Sequence, residues 1–276
     1  MTEDTTEAAP KERVKAYFLS DLHLGAPYMA DSREREVRVV RFLDSIKHDA
    51  THIYLVGDVL DYWYEYRNVV PRGYVRFFGK LAELTDSGVK VTWLIGNHDI
   101  WIFDYIPSEL GVRVVDGVLE EELGGKHFLL SHGDGVGEVP RPFRYIRRMF
   151  RSRVCQWLFA GIHPRWTVPF AYAWSAHSRA HGRPPRDESA HPLTDKLTDY
   201  SLSCLAEGKH IDHFVYGHLH IVSCRRLNDS GSTQWVLGDW LWNMSYAVFD
   251  GEKMQMYRYT DSDTSDPVIE MTDKES

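Results

Sequence analysis

Nowhere in the 276 residues does an apolar run approach the roughly 20 residues that a membrane-crossing helix needs, so a spanning segment is excluded. The opening MTEDTTEAAP has neither a positive flank nor an apolar stretch, and no secretory signal is read there. Residues 1–13 are expected to form a disordered tail, and the acidic, polar residues 261–276 a second one. Cysteine is scarce: Cys155, Cys204 and Cys224 are odd in number and unpaired in spacing, which fits a reducing cytosol better than a disulfide framework. A basic excess is also missing, since 32 Lys and Arg against 40 Asp and Glu leave −8, which argues against a general nucleic-acid binder. The most informative lack is local. Between Arg141 and Arg186 there are ten arginines and no lysine, aspartate or glutamate, so the remainder carries 22 basic residues against 40 acids, or −18. A solvated face normally mixes its signs, and this segregation predicts an anionic partner.

What is present fits one large α/β domain over residues 14–260 with a helical, Arg- and aromatic-rich insertion at about 140–207. Val14 to Ser20, Ile53 to Val56 and Val89 to Ile95 read as buried strands. Between them, Arg33 to Lys47 carries Val37, Val40, Leu43 and Ile46 at helical spacing, and Tyr74 to Ser87 carries Val75, Phe78, Leu81 and Leu84. This alternation predicts βαβ units and a parallel-leaning sheet. Shorter strands are expected at 112–115, 118–123, 126–131, 213–216, 223–227, 234–237, 246–249 and 254–259, the last two joined at an Asp250-Gly251 turn.

Five short motifs fall where strands run into loops: Asp21-Leu22-His23, Gly57-Asp58, Gly96-Asn97-His98-Asp99, Ser131-His132-Gly133-Asp134 and Gly217-His218-Leu219-His220. Strand ends are where open α/β sheets place ligand sites. Each motif alone is weak. Gly-Asp is an ordinary turn, and two histidines at i and i+2 leave a strand on opposite faces unless it bends. Their conjunction, always at a strand end, predicts a metal centre. Carboxylates, imidazoles and one carboxamide suit manganese, iron or zinc better than calcium. Seven ligands exceed one tetrahedral ion. With Asp58 bridging, one ion takes Asp21, His23, Asp58 and His220, and the other takes Asp58, Asn97, His132 and His218.

The order of these motifs resembles that of the calcineurin-like metallophosphoesterases over about Val14 to Tyr259. The resemblance implies a sandwich of two mixed β-sheets flanked by helices, two divalent metal ions on the seven residues above, and hydrolysis of a phosphoester. It places His98 outside the metal shell, stabilising phosphoryl charge or protonating the leaving oxygen, with Asp99 orienting it. SDLHLGAP, GDVLDYWYEY, GNHDIWIFDY, SHGDG, VCQWLF and LGDW further resemble the UDP-2,3-diacylglucosamine hydrolases of lipid A biosynthesis. That likeness implies cleavage of a pyrophosphate to UMP and a lipid sugar phosphate, manganese as the metal, and substrate contacts at Ser175 and Arg179. Departures are His98, where better-known relatives carry arginine, and Glu138-Val139-Pro140, where they tend to keep an aspartate.

The insertion adds its own reading. Phe143, Ile146, Met149 and Phe150 recur at helical spacing, followed by Trp157, Leu158 and Phe159 among arginines. Such a face fits an acyl chain, or an anionic surface such as the cytoplasmic side of the inner membrane; Arg147, Arg148 and Arg151 are further candidate substrate contacts. The rivals are another phosphoesterase of the family, acting on a nucleotide, phosphoprotein or nucleic acid, and a metal-free scaffold. A nuclease would need a basic groove tracking a phosphate backbone, whereas the basic residues here sit together with large apolar ones. A scaffold would be marked by a loss of ligands that is not seen in the motifs. No obligate protein partner is read from the chain.

Overall fold

A computed structural model describes residues 13–29, 31–137, 141–180, 192–260 and 266–267. The first apolar run forms β1, Ala16–Leu19, with all four residues buried. It pairs in parallel with β2 (His52–Val56), and β3 (Lys90–Leu94) and β4 (Arg113–Val115) follow in parallel. The crossovers are α1 (Ser32–Ile46), α2 (Val75–Asp86) and α3 (Tyr105–Leu110). On the other edge of β1 lie β10 (Ser245–Phe249), β11 (Met254–Arg258) and the two-residue β12 (Asp266–Pro267), all antiparallel. A second sheet runs β5-β6-β7-β9-β8, built from Leu119–Leu123, Lys126–Ser131, His213–Tyr216, Thr233–Leu237 and Val222–Arg226. It is mixed too, parallel along β6, β7 and β9 and antiparallel at its edges.

The alternation within each strand decides the layers. In β1 and β2, Leu19, Ile53 and Leu55 face the helices, while Phe18, Tyr54 and Val56 face the second sheet. Phe18 stacks between Tyr54 and Phe128, with ring centroids 5.0 and 5.7 Å away. Buried side chains of this size stabilise by about 1.5–3 kcal/mol apiece. Beyond the second sheet, α7 (Pro192–Ala206) buries Leu197 and Cys204 against Leu129, Phe214 and Tyr216. The result is helix, sheet, sheet, helix: the mixed-sheet sandwich the resemblance implied.

Several details differ from the sequence reading. The inward face of α1 is Arg35, Glu36, Val39, Phe42, Leu43 and Ile46, so Val37 and Val40 sit at its margin. Polar contacts fix that rotation: Arg35 donates to Leu22 O at 3.0 Å, and Glu36 accepts the Arg76 and Phe77 N–H groups at 2.9 and 3.2 Å. Those bonds start α2 so that Phe77 turns inward and Val75 is exposed. Helix α3 was not read. Its N-terminus is held by Glu65, which accepts the N–H groups of Phe103, Asp104 and Tyr105. The C-terminal stretch read as a tail contributes β12, which extends the sheet through Tyr257 and Arg258. Residues 1–12 lie outside the described residues.

The insertion also divides. α7 packs into the body, whereas α4 (Arg141–Phe150), α5 (Arg153–Ala160) and α6 (Pro164–Ala180) form a cap over the strand ends. α5 has no buried side chain. Directed bonds hold the cap instead: Tyr64 Oη donates to Gln156 O at 2.6 Å, Trp101 Nε1 to Phe150 O at 2.9 Å, and Tyr66 Oη lies 3.0 Å from Thr167 Oγ1. Trp101 and Tyr64 also pack on Phe159.

Candidate metal centre

All seven expected ligands meet at one end of the sandwich. Asp21 and His23 follow β1, Asp58 follows β2, Asn97 follows β3, His132 follows β6, and His218 and His220 follow β7. The backbone is forced there. Asp21, His23, Asp58, His218 and His220 adopt left-handed φ values of 54°, 41°, 51°, 69° and 57°. Each such residue costs on the order of 1–3 kcal/mol and persists only where surrounding bonds over-determine it. Those bonds run between the ligand loops: Asp21 N to Gly57 O at 3.1 Å, His23 N to Asp58 O at 2.9 Å, and Gly217 N to His132 O at 3.0 Å. Gly217 permits the closest approach, because a Cβ there would fall on the Ser20 and Asp21 side chains.

Two triads face one another, Asp21–His23–His220 and Asp58–His132–His218, their ligand atoms within 4.8 Å of each other in each group. Asp58 Oδ2 lies 3.3 Å from His132 Nε2 and 3.6 Å from His23 Nε2, between the two sets, where a bridging ligand belongs. Asn97 Oδ1 joins the second set at 3.3 Å from His132 Nε2. The histidines are turned by their other nitrogens. His23 Nδ1 faces Asp61 Oδ1 at 3.1 Å, His220 Nδ1 faces Asp239 Oδ2 at 3.2 Å, and His132 Nδ1 faces Val56 O at 2.9 Å. With Nδ1–H donating to these acceptors, each Nε2 presents a lone pair to the centre.

The donors fit divalent cations on a direct observation. Asp21 Oδ1 is fully buried and accepts no hydrogen bond, although His220 Nε2 and His23 Nε2 stand 3.3 and 3.5 Å away. A buried carboxylate oxygen left so is costly unless a cation takes it up. The electrostatics agree. Burial pushes the Asp58 carboxyl up, but the imidazoles of His132 and His98 outweigh it and hold Asp58 well below the usual carboxylate range. Asp21 is lowered likewise, burial being overcome chiefly by His220. Burial, then the neighbouring His132, pushes His218 down to about 4, so its imidazole is neutral at physiological pH, the form that can bind a metal.

His98 and Asp99 part company. His98 sits at the rim with 17% of its side chain exposed, Nε2 4.0 Å from Asp58 Oδ2 and Nδ1 3.0 Å from the Asp61 carbonyl. Asp99 is fully buried and does not orient His98. It accepts N–H bonds from Gly96 at 2.7 Å, Val59 at 2.9 Å and Trp93 Nε1 at 3.0 Å, tying the Asn97 loop to the Asp58 loop. Burial, with the nearby Asp58 charge, pushes its carboxyl up to about 6. The sequence reading missed Asp61 and Asp239 as supports. Their only local signal is an aspartate inside the quoted GDVLDYWYEY and LGDW strings.

Of the expected substrate contacts, Arg147 pairs with Asp134 at 3.2 Å and Arg151 with Asp116 at 2.7 Å, so both brace the cap on the body. Arg148 is exposed. Ser175 and Arg179 belong to α6, but their side chains lie outside the described residues, as do Phe143 and 138–140.

The calcineurin-like phosphoesterase family matches residues 14–222. The UDP-2,3-diacylglucosamine hydrolase of Porphyromonas gingivalis is 41% identical over 250 residues, 87% of this chain and 95% of that protein. The like-named protein of Ralstonia nicotianae is 25% identical over 248 residues, 87% of this chain and 90% of that one. With both candidate metal-binding triads inside the matched span, this chain belongs to the calcineurin-like phosphoesterase family.

Proposed function

We propose that the chain hydrolyses the pyrophosphate of UDP-2,3-diacylglucosamine, giving UMP and 2,3-diacylglucosamine 1-phosphate in lipid A biosynthesis. The observation that carries this reading is the 41% identity with a protein named for that reaction, spread over nearly the whole of both chains. Two divalent ions, manganese on this reading, would rest on Asp21, His23, Asp58 and His220 and on Asp58, Asn97, His132 and His218. Bound there, they supply charge neutralisation for the pyrophosphate and a nucleophilic water near neutral pH. The chain's own contribution is orientation. Asp61 and Asp239 fix the imidazoles, and His98, whose Nδ1–H donates to the Asp61 carbonyl, can donate Nε2–H to a phosphoryl or leaving oxygen when the ring carries both protons. Replacing His98 with alanine is expected to lower kcat by roughly two to three orders of magnitude while two metal ions stay bound. Turnover assays paired with metal analysis check this, and a variant that loses metal instead would assign His98 to the coordination sphere.

Product analysis tests the reaction. UMP with a lipid sugar phosphate is expected, whereas UDP with a free sugar, or intact lipid beside a cleaved generic phosphodiester, would remove the assignment.

The cap supports a lipid substrate. Trp157, Trp166 and Phe170 are 75%, 69% and 64% exposed, beside Arg141, Arg144, Arg148, Arg153 and Arg165, which have no acidic partner among the described residues. No helix among the described residues is long and apolar enough to cross a membrane. On this reading the cap rests on an anionic bilayer surface, the cytoplasmic face of the inner membrane, with arginines at the headgroups and aromatics at the acyl boundary. Vesicles containing anionic lipid should sediment the protein at low salt and less of it at high salt; no binding at either would refute the contact. Arg148, Ser175 and Arg179 are the residues proposed to meet the substrate, with Arg147 and Arg151 acting through the cap they brace.

A further inference from the structure

The segment between β9 and β10 is fixed to the metal centre at several points. Buried Asp239 accepts the N–H groups of Leu241, Trp242 and Asn243 on Oδ1 at 3.0, 2.7 and 3.0 Å, while its Oδ2 faces His220 Nδ1 at 3.2 Å. Asn243 Nδ2 donates to His220 O at 3.0 Å, and Trp240 N donates to Asp21 O at 3.1 Å. Within this turn Trp240 and Leu241 are buried and supply its anchorage. Trp242 does not. Its backbone is as tightly held, yet the side chain is 46% exposed, with its ring centroid 6.1 Å from that of His220 and the planes at 63°. A large aromatic on a rigid turn, set against a ligand histidine and left open to solvent, is a preformed wall rather than a packing residue.

Its place in the topology says what it faces. The cap is held by Tyr64, Trp101, Asp116 and Asp134, on the loops after β2, β3, β4 and β6. The turn that carries Trp242 follows β9; Trp242 itself adjoins the β7 loop at His220, and Trp240 ties the turn to the β1 loop at Asp21. In the two sheets these are opposite flanks of the same centre. A pyrophosphate clamped there carries two arms, one apolar and one ending in a planar base. The apolar arm matches the cap. On the substrate reading above, the remaining arm would leave on the flank of His220 and Trp242.

We propose that Trp242 is the stacking wall of a nucleobase subsite, which on the substrate reading above receives the uracil ring. The test compares UMP with ribose 5-phosphate, which shares the phosphate and sugar but lacks the base, as ligands of the manganese-loaded protein in calorimetric titrations. UMP should bind the parent more tightly than ribose 5-phosphate. Trp242→Ala should weaken UMP by roughly tenfold or more, leave ribose 5-phosphate unchanged and keep the parent's metal content; Trp242→Phe should retain most of the UMP affinity. No preference for UMP in the parent, unchanged UMP affinity in Trp242→Ala, or equal loss of both ligands would overturn the subsite. The substrate reading fails separately. If the parent leaves UDP-2,3-diacylglucosamine intact but discriminates UMP through Trp242, the subsite stands alone. If the parent releases UMP from the lipid and Trp242→Ala binds UMP as the parent does, only the subsite falls.

Discussion

Replacing Asp58 with alanine is expected to lower turnover by at least about three orders of magnitude, equivalent to roughly 4 kcal/mol of lost transition-state stabilisation. The side chain is almost wholly buried, and its Oδ2 stands between His23 Nε2 and His132 Nε2, placed to serve both triads. Its Oδ1 also accepts the N–H of His98 at 2.8 Å, so the residue ties the two ion sites to the rim histidine. Removing it would take a ligand from each ion at once and leave His132 Nε2 and His23 Nε2 without the carboxylate that lies between them. The expected signature is loss of bound metal together with activity in a protein whose circular dichroism is unchanged. A variant that keeps two ions and a tenth or more of parental turnover would show that Asp58 does not bridge.

A different deficit is expected for Asp99→Ala. Three buried donors lose their acceptor, the N–H groups of Gly96 and Val59 and the Trp93 indole. Unmet buried donors cost on the order of 1–3 kcal/mol each, and partial relaxation makes a total of about 3–5 kcal/mol reasonable for the variant. Denaturant unfolding reads this directly. Because Asp99 joins the loops of Asp58 and Asn97 without touching His98, whatever folds should lose metal affinity before it loses the rim histidine's function. Unchanged stability with reduced kcat would instead place Asp99 beside His98 in the chemistry.

The convergence of the seven residues proposed as ligands was legible because each follows an apolar strand, and a strand end in a βαβ unit is a position that the pattern alone can fix. The supports were not legible, for a physical reason. Asp61 meets His23 across 38 residues and Asp239 meets His220 across 19, so only the folded chain shows that these carboxylates turn imidazoles. Asp99 misled by adjacency: its neighbour in sequence is His98, but its bonds run to Gly96, Trp93 and, 40 residues away, Val59. Helical periodicity gave α1 its length and nearly its face. The final rotation was set by what Arg35 and Glu36 reach on other elements. Helix α3 has six residues with Pro107 inside, too short for a periodic signal, and it starts where Glu65 gathers three N–H groups. The charge segregation of the insertion was readable, but its division was not, since α7 and α4–α6 differ in what they pack against rather than in helical character.

The central claim, a two-ion centre that releases UMP from a UDP-linked lipid, is tested most directly by one titration. Protein stripped with chelator would receive manganese in fractions of an equivalent per chain, with UMP release from UDP-2,3-diacylglucosamine measured at each step. Turnover should be negligible without metal and should level off at two equivalents. A plateau at one equivalent, or UMP release from the stripped protein, would contradict the account.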